Sequence, residues 1–262
     1  MGGWRYWPGC RVLRAAIVNV AYYPLGESGS MGVNNLPQDV VGGHHFLNSN
    51  GTNNLFTIGT AGPPSGSTAY AIDGVAGGGY FSTDTGTTTL PTNTDWVASL
   101  WVRASNTAQS NIDILSGNGG LAGAFKFTLT GGAWGATLQG GPTFGSQTAV
   151  ANTWARLTAM RYGNALRFYV DGTLVGSTTT ASTTANFAQN GIHLGVNSGG
   201  STGFVGNLDE LKLWTFNSGT DSQASVEAAV FGAVPEPSSW CIVGGLASSA
   251  CIVDIVRAPT GT

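Results

Sequence analysis

The sequence predicts an all-β sandwich closed by one short C-terminal helix and followed by an apolar C-terminal tail. Three observations carry that expectation. Only 9% of the 262 residues are charged, with four glutamates and two lysines, so long exposed helices lack the residues that build them. Glycine numbers 41 and Thr, Ser and Asn are abundant, a composition of strands and turns. Alternating apolar segments recur at the spacing of roughly 8–12 residues that marks sandwiches and barrels.

In chain order, residues 1–14 (MGGWRYWPGCRVLR) form an irregular basic and aromatic segment, which fits a misplaced start. The apolar run 15–21 is at the lower limit for a signal peptide and reads better as the beginning of a first strand, AIVNVAYYPLG, ended by Pro24 and Gly26. Residues 27–64 read as Gly/Asn/Ser-rich loop, with Asn34, Asn35, Asn48 and Asn53 as turn formers. The adjacent His44 and His45 would face opposite sides of a strand and have no third ligand nearby, so they read as a solvated pair. AYAID and YFSTD form the next two strands around Gly77, Gly78 and Gly79. No helix follows those glycines, which excludes a phosphate loop.

DWVASLWVRA is apolar on both faces, with Trp96, Ala98, Leu100 and Val102 on one and Val97 and Trp101 on the other, as in the middle of a layered sandwich. NIDILSG, AFKFTLTGGAW and ATLQGG follow; Trp134 is either core or a stacking platform for a sugar ring, core being the commoner fate of large aromatics. TWARLTAMRY and ALRFYVDGTLVGS form hairpins, the second turning at Asp171-Gly172. GIHLGVN supplies a strand with a structural His193. Residues 220–223 (TDSQ) fit a capping box, and Ala224, Ala228 and Phe231 recur at helical spacing before Gly232.

The organising stretch is FVGNLDELKLW. Simple alternation places Leu211 and Leu213 on one face with Asp209, and Leu208, Glu210, Lys212 and Trp214 on the other. An inward carboxylate is expensive unless hydrogen-bonded, paired or metal-bound, so Asp209 is expected to anchor something.

Together AIDG, WVASLWVRA, the Trp154 strand, YVDGTLVG, HLGVN and FVGNLDELKLW resemble the LamG-like jelly roll of the concanavalin A-like lectin/glucanase superfamily, over residues 15–232. The resemblance implies a two-sheet jelly roll with a concave face. It also implies a calcium ion between the first strand and an aspartate on the last. Asp209 matches that aspartate, with Glu27 as a partner. The alternative is an Asp209 that accepts backbone N–H groups and pins a loop.

The tail, residues 233–262, resembles a PEP-CTERM sorting signal through Val234, Pro235, Glu236 and Pro237, the apolar segment 240–256 and Arg257. That resemblance implies export, transient membrane anchoring through the apolar segment, and processing by an exosortase-type sorting enzyme. Asp254 and the single terminal arginine depart from the pattern, which usually ends in several basic residues.

Catalysis is not expected. The Glu-x-Asp-x-x-Glu strand of laminarinase-type members is absent. Asp209 and Glu210 are sequence neighbours rather than a carboxylate pair across one bond. No Gly-x-Ser-x-Gly elbow occurs. The net charge of -3 and scattered basic residues argue against nucleic acid. The expected role is a non-catalytic, exported bacterial lectin-like module that binds glycan or extracellular polymer at the cell envelope. The alternatives are a structural or adhesive matrix protein and, further off, a glycoside hydrolase or polysaccharide lyase.

Overall fold

The computed structural model describes residues 16–29, 36–50, 56–64, 68–72, 80–83, 95–117, 125–138, 143–179, 192–195 and 203–232. The chain divides into two units, 1–232 and 233–262. The second lies outside the described residues, as do Val234, Pro235, Glu236, Pro237 and Arg257 of the expected sorting signal. No helix among the described residues is long and apolar enough to cross a membrane.

The described strands form two sheets, and every described pair of strands is antiparallel. The strands are β1 (Val18–Tyr23), β2 (Phe46–Asn50), β3 (Phe56–Ala61), β4 (Thr68–Ile72), β5 (Tyr80–Thr83), β6 (Asp95–Ala104), β7 (Ile112–Gly117) and β8 (Phe125–Thr130). They continue as β9 (Ala133–Leu138), β10 (Thr143–Thr148), β11 (Ala155–Tyr162), β12 (Ala165–Val170), β13 (Thr173–Thr179), β14 (Ile192–Leu194) and β15 (Gly206–Phe216), before the helix α1 (Gln223–Phe231). An eight-stranded sheet runs β13-β12-β11-β6-β15-β4-β3, with β1 also on β15. A seven-stranded sheet runs β10-β9-β8-β7-β14-β5-β2. This is the expected jelly-roll sandwich, with β2, β3 and β10 as strands that the Gly/Asn/Ser-rich sequence hid. Asn48, expected in a turn, lies in β2.

Alternation builds the core between the sheets. Trp96, Ala98, Leu100 and Val102 of β6 point inward with Leu157, Phe168, Leu208, Leu211 and Leu213. They meet Phe125, Phe127, Trp134 and Leu194 of the other sheet. Trp96 packs edge-on to Phe125 with ring centroids 5.1 Å apart, and Phe127 contacts Phe168 at 5.9 Å. Trp134 is therefore core, 2% exposed, and no sugar platform. At one side the two sheets touch through Gly145 of β10 and Gly176 of β13. A Cβ on Gly176 would stand 2.2 Å from the Gly145 Cα, so no side chain fits there. Asp171 and Gly172 both have positive φ, as their hairpin turn requires.

α1 covers part of the outer face of the eight-stranded sheet. Its cap is Ser222, whose side chain accepts the Ser225 N–H, one residue pair later than the expected Thr220–Gln223 box. Asp221 is used elsewhere, accepting from the backbone of Ala16 and Asn217. The buried residues are Val226 and Val230, packed with Val97, Met160, Tyr169 and Phe216, while Ala224 and Ala228 are exposed. The alanine spacing thus picked the wrong face: the larger β-branched side chains bury more apolar area.

Candidate ligand-binding face

The outer face of the seven-stranded sheet carries no helix among the described residues, and its register sets polar residues side by side. One row crosses five strands: Thr143, Thr137, Lys126, Ser116 and His193. A second row holds Ser146, Gly135, Thr128 and Asp113. Directly opposed residues on one face lie about 4.5–5.5 Å apart at Cβ, so the rows are continuous strips of hydrogen-bonding groups.

Lys126 Nζ donates to Asp113 Oδ2 at 2.7 Å, both side chains being mostly buried. Ser116 is fully buried, and its Oγ has no hydrogen-bond partner among the described residues. Beside it His193 is half-buried, and burial holds its imidazole below the ordinary 6.5, against the opposing pull of Asp113 and with the help of Lys126. His193 is neutral at physiological pH, one ring nitrogen a donor and the other an acceptor. Lone-residue reading took His193 as structural. Only the pairing of β14 with β7 reveals its place in the strip.

Asp209 is fully buried, as expected of an anchor, but alternation misassigned its face. A bulge between Asp209 and Lys212 in the β15–β6 ladder, with Glu210 at φ 48, shifts the phase of the strand. Leu208 therefore points into the core with Leu211 and Leu213. Asp209 pairs in register with Trp101, in phase with Asn207 and the outer face. The bulge sits where the flank of β15 changes partner, from β4 at Gly206–Leu208 to β1 at Leu211–Thr215. The Asp209 carboxylate accepts the Glu210 N–H at 2.8 Å, holding the left-handed residue in place.

Glu27 follows β1 in the turn opposite this bulge. Burial, followed by Glu210, Glu27 and Asp209, pushes the Tyr22 phenol up to about 12, so the three carboxylates share one neighbourhood. Lys212 answers them: Nζ is 3.1 Å from Glu210 Oε2 and lies 4.6 Å from the centroid of the Tyr22 ring. Among the described residues no three His, Cys, Asp or Glu are grouped to hold a metal. A calcium ion at Asp209 and Glu27 would draw its remaining ligands, out of six to eight oxygens, from backbone carbonyls.

Asp39, which carries no motif in the sequence, accepts several backbone N–H groups. Asp39 Oδ1 accepts the backbone N–H groups of Tyr22 and Val41, both at 2.9 Å. Oδ2 accepts those of Gly42 and His44, both at 3.0 Å, and contacts His44 Nδ1 at 3.1 Å. His45 Nδ1 accepts the Asp39 N–H, and Tyr23 donates its hydroxyl to the His44 carbonyl at 2.6 Å. The histidine pair is thus half of a loop clamp on β1, not a freely solvated pair. A Cβ at Gly42 would stand 2.3 Å from the Val20 carbonyl oxygen, which explains the glycine after Val41.

No curated protein sequence matches the chain. Among solved structures it is similar to domain 4 of AbnA, a GH43 extracellular arabinanase from Geobacillus stearothermophilus, in complex with arabinotriose. The identity is 18% and the TM-score 0.55, over 81% of this chain and 98% of that one. It is also similar to the receptor binding domain of botulinum neurotoxin C/D mosaic serotype, at 12% identity and TM-score 0.56, over 80% of this chain and 50% of that one. A Trypanosoma rangeli sialidase matches at 13% identity and TM-score 0.54, over 80% and 32% respectively. These are likenesses of fold, among enzymes and binding domains alike. A family model described as the concanavalin A-like lectin/glucanases superfamily matches residues 73–219, more than half of the sequence, and the chain belongs to that superfamily.

Proposed function

We propose that the chain is a non-catalytic glycan-binding module, exported by a bacterium and displayed at or released from the cell envelope, and that it holds polymer along the polar strip of its seven-stranded sheet. The observation that carries this reading is the row of polar residues in register across five strands, of which Thr143, Thr137, Lys126 and His193 keep part of their surface in water. Hydroxyls, an ammonium and an imidazole are suited to sugar hydroxyls, which both donate and accept. The arabinotriose held by the fold neighbour fits a saccharide ligand loosely.

Two features favour binding over hydrolysis. Asp113 is the one carboxylate that the described residues place on the strip, and it is tied to Lys126. Glycoside hydrolysis needs two carboxylates across one bond. The tail at Val234, Pro235, Glu236, Pro237 and Arg257 would bring export, an exosortase-type partner and transient anchoring in the membrane. Calcium, where bound, would be structural, at Asp209 and Glu27.

The test is binding of the full chain to arabinan, xylan and bacterial exopolysaccharides, with calcium and with chelator. The isosteric variants Thr137→Val and Thr143→Val should each weaken binding by about three- to tenfold, the worth of one hydrogen bond. A chain that binds none of these polymers would instead be a structural or adhesive matrix protein.

A further inference from the structure

The outer face of the eight-stranded sheet is divided. α1 covers the part around Val97, Met160 and Tyr169, whereas Trp101 and Trp154 belong to neither apolar cluster and are each half-buried. Trp101 lies in register with Arg156 on one side and Asp209 on the other. Trp154 immediately precedes Ala155, which pairs with Val102, and the Arg103 guanidinium stands 5.6 Å from the centroid of the Trp154 ring. Trp101 and Arg103, two residues apart on β6, share a face. Arg103 Nε donates to Asn207 Oδ1 at 3.1 Å. Among the described residues that is the one hydrogen bond its side chain makes, which leaves both terminal amines for a ligand.

Packing alone does not account for two indoles here. Large aromatics stabilise a fold by burying their area, and these two keep part of it in water, outside either core. The polar groups around them answer a different need. A cation over one ring fixes the orientation of the indole. The Arg103 guanidinium, held by the buried Asn207 carboxamide, offers donors at the edge of the aromatic surface. Flat apolar area bordered by a few convergent polar groups is what a sugar ring requires, with C–H groups on its face and hydroxyls on its rim.

We propose that Trp101, Trp154 and Arg103, the last oriented by Asn207, form a second polysaccharide site, on the outer face of the eight-stranded sheet beside α1, for neutral polymers whose rings stack on the indoles. It does not rest on the polar strip, which lies on the opposite side of the sandwich. With both sites in use, one chain joins two polymer strands.

The experiment is affinity electrophoresis of the full chain through gels containing laminarin, xylan, debranched arabinan or alginate. Trp101→Ala and Trp154→Ala should each weaken retardation by at least one neutral polymer about tenfold. Trp154→Tyr should restore most of the loss, and Thr137→Val should leave the stacking contribution intact. Should an alanine variant fail to fold, wild-type tryptophan fluorescence decides: the proposal requires a polymer-dependent change that Arg103→Gln reduces. Wild-type retardation in both alanine variants overturns the proposal. So does retardation by alginate alone that salt abolishes, which would mark simple ion pairing, or an absence of retardation by every polymer. Loss in the tryptophan variants with none in Thr137→Val and Thr143→Val would keep this site and remove the strip.

Discussion

Replacing Asp39 probes the clamp that ties the loop before β2 to β1. Its side chain is wholly inaccessible and accepts from the backbones of Tyr22, Val41, Gly42 and His44. In Asp39→Ala all four donors lose their acceptor. Val41 and Gly42 are exposed and can turn to water, whereas Tyr22 and His44 are half-buried. Each donor stranded there costs about 1–3 kcal/mol, so the pair sets an expected loss of roughly 2–6 kcal/mol. A domain of this size loses roughly 2–4 °C of Tm per kcal/mol, and thermal melting by circular dichroism would resolve the change easily. Burial raises the pKa of Asp39, but the N–H groups of Tyr22, Val41, His44 and Gly42 outweigh it and hold the carboxyl below its ordinary 3.8. A depressed carboxyl contributes stability above its unfolded pKa and loses it as pH falls through the folded value. The gap between wild type and Asp39→Asn should therefore stay constant from neutral pH down to about pH 5 and close below about pH 4. A variant that melts with the wild type at pH 7, or a gap that persists unchanged at pH 3, would refute the clamp.

Asp209→Ala should destabilise by about 1–3 kcal/mol, the cost of freeing the donor that fixes the bulge, and an unchanged melting curve would show that Glu210 holds its positive φ without help. Melting with calcium and with EDTA addresses the ion at Asp209 and Glu27: stabilisation by calcium that Asp209→Asn abolishes would assign it, and superimposable curves would leave Asp209 as a backbone clamp alone. Gly176→Ala should cost about 1–3 kcal/mol, because its Cβ has nowhere to go against Gly145, and a neutral result would mean that the sheet edges can part. His193, its pKa lowered by burial, should make the chain less stable as pH falls below its ordinary 6.5; His193→Gln should lack that slope, and a shared slope would place the titration elsewhere.

Strand existence was legible wherever alternation was strong, as in β6, β11 and β12, because one inward face suffices to specify register. It failed at β2 and β10, where polar and glycine residues pair by backbone bonds that leave little pattern in the side chains, and at β3, whose Phe56 and Ile58 alternate for only one step inside a Gly/Asn/Ser-rich stretch. It failed again at Asp209. The parity of Leu211 and Leu213 is sound, but one residue at positive φ reverses parity upstream, and nothing in LDEL distinguishes a bulge from a regular strand. The candidate face was harder still. Ser116 and His193 stand far apart in sequence, each unremarkable alone, and become neighbours only through the pairing of β7 with β14. Asp39 looked like a loop residue because the donors that make it an anchor are backbone groups, which every sequence possesses.

The composition that excludes long helices also limits how the sandwich can be covered. α1 has nine residues and is about 14 Å long, against a sheet of seven strands abreast, roughly 30 Å wide. One such helix can shield the apolar outer residues around Val97 and Met160, and no more. Where no described residue covers them, the outer faces must either suit water or hold a ligand. On the seven-stranded sheet the residues there are Thr, Ser, Lys and His, which suit water and sugar hydroxyls equally. On the eight-stranded sheet Trp101 and Trp154 sit outside the helix cluster, each with part of its ring in water. Two large aromatics with part of their surface in water, beside a guanidinium, are what a stacking site requires, and that contrast makes the tryptophan variants the more discriminating of the binding tests.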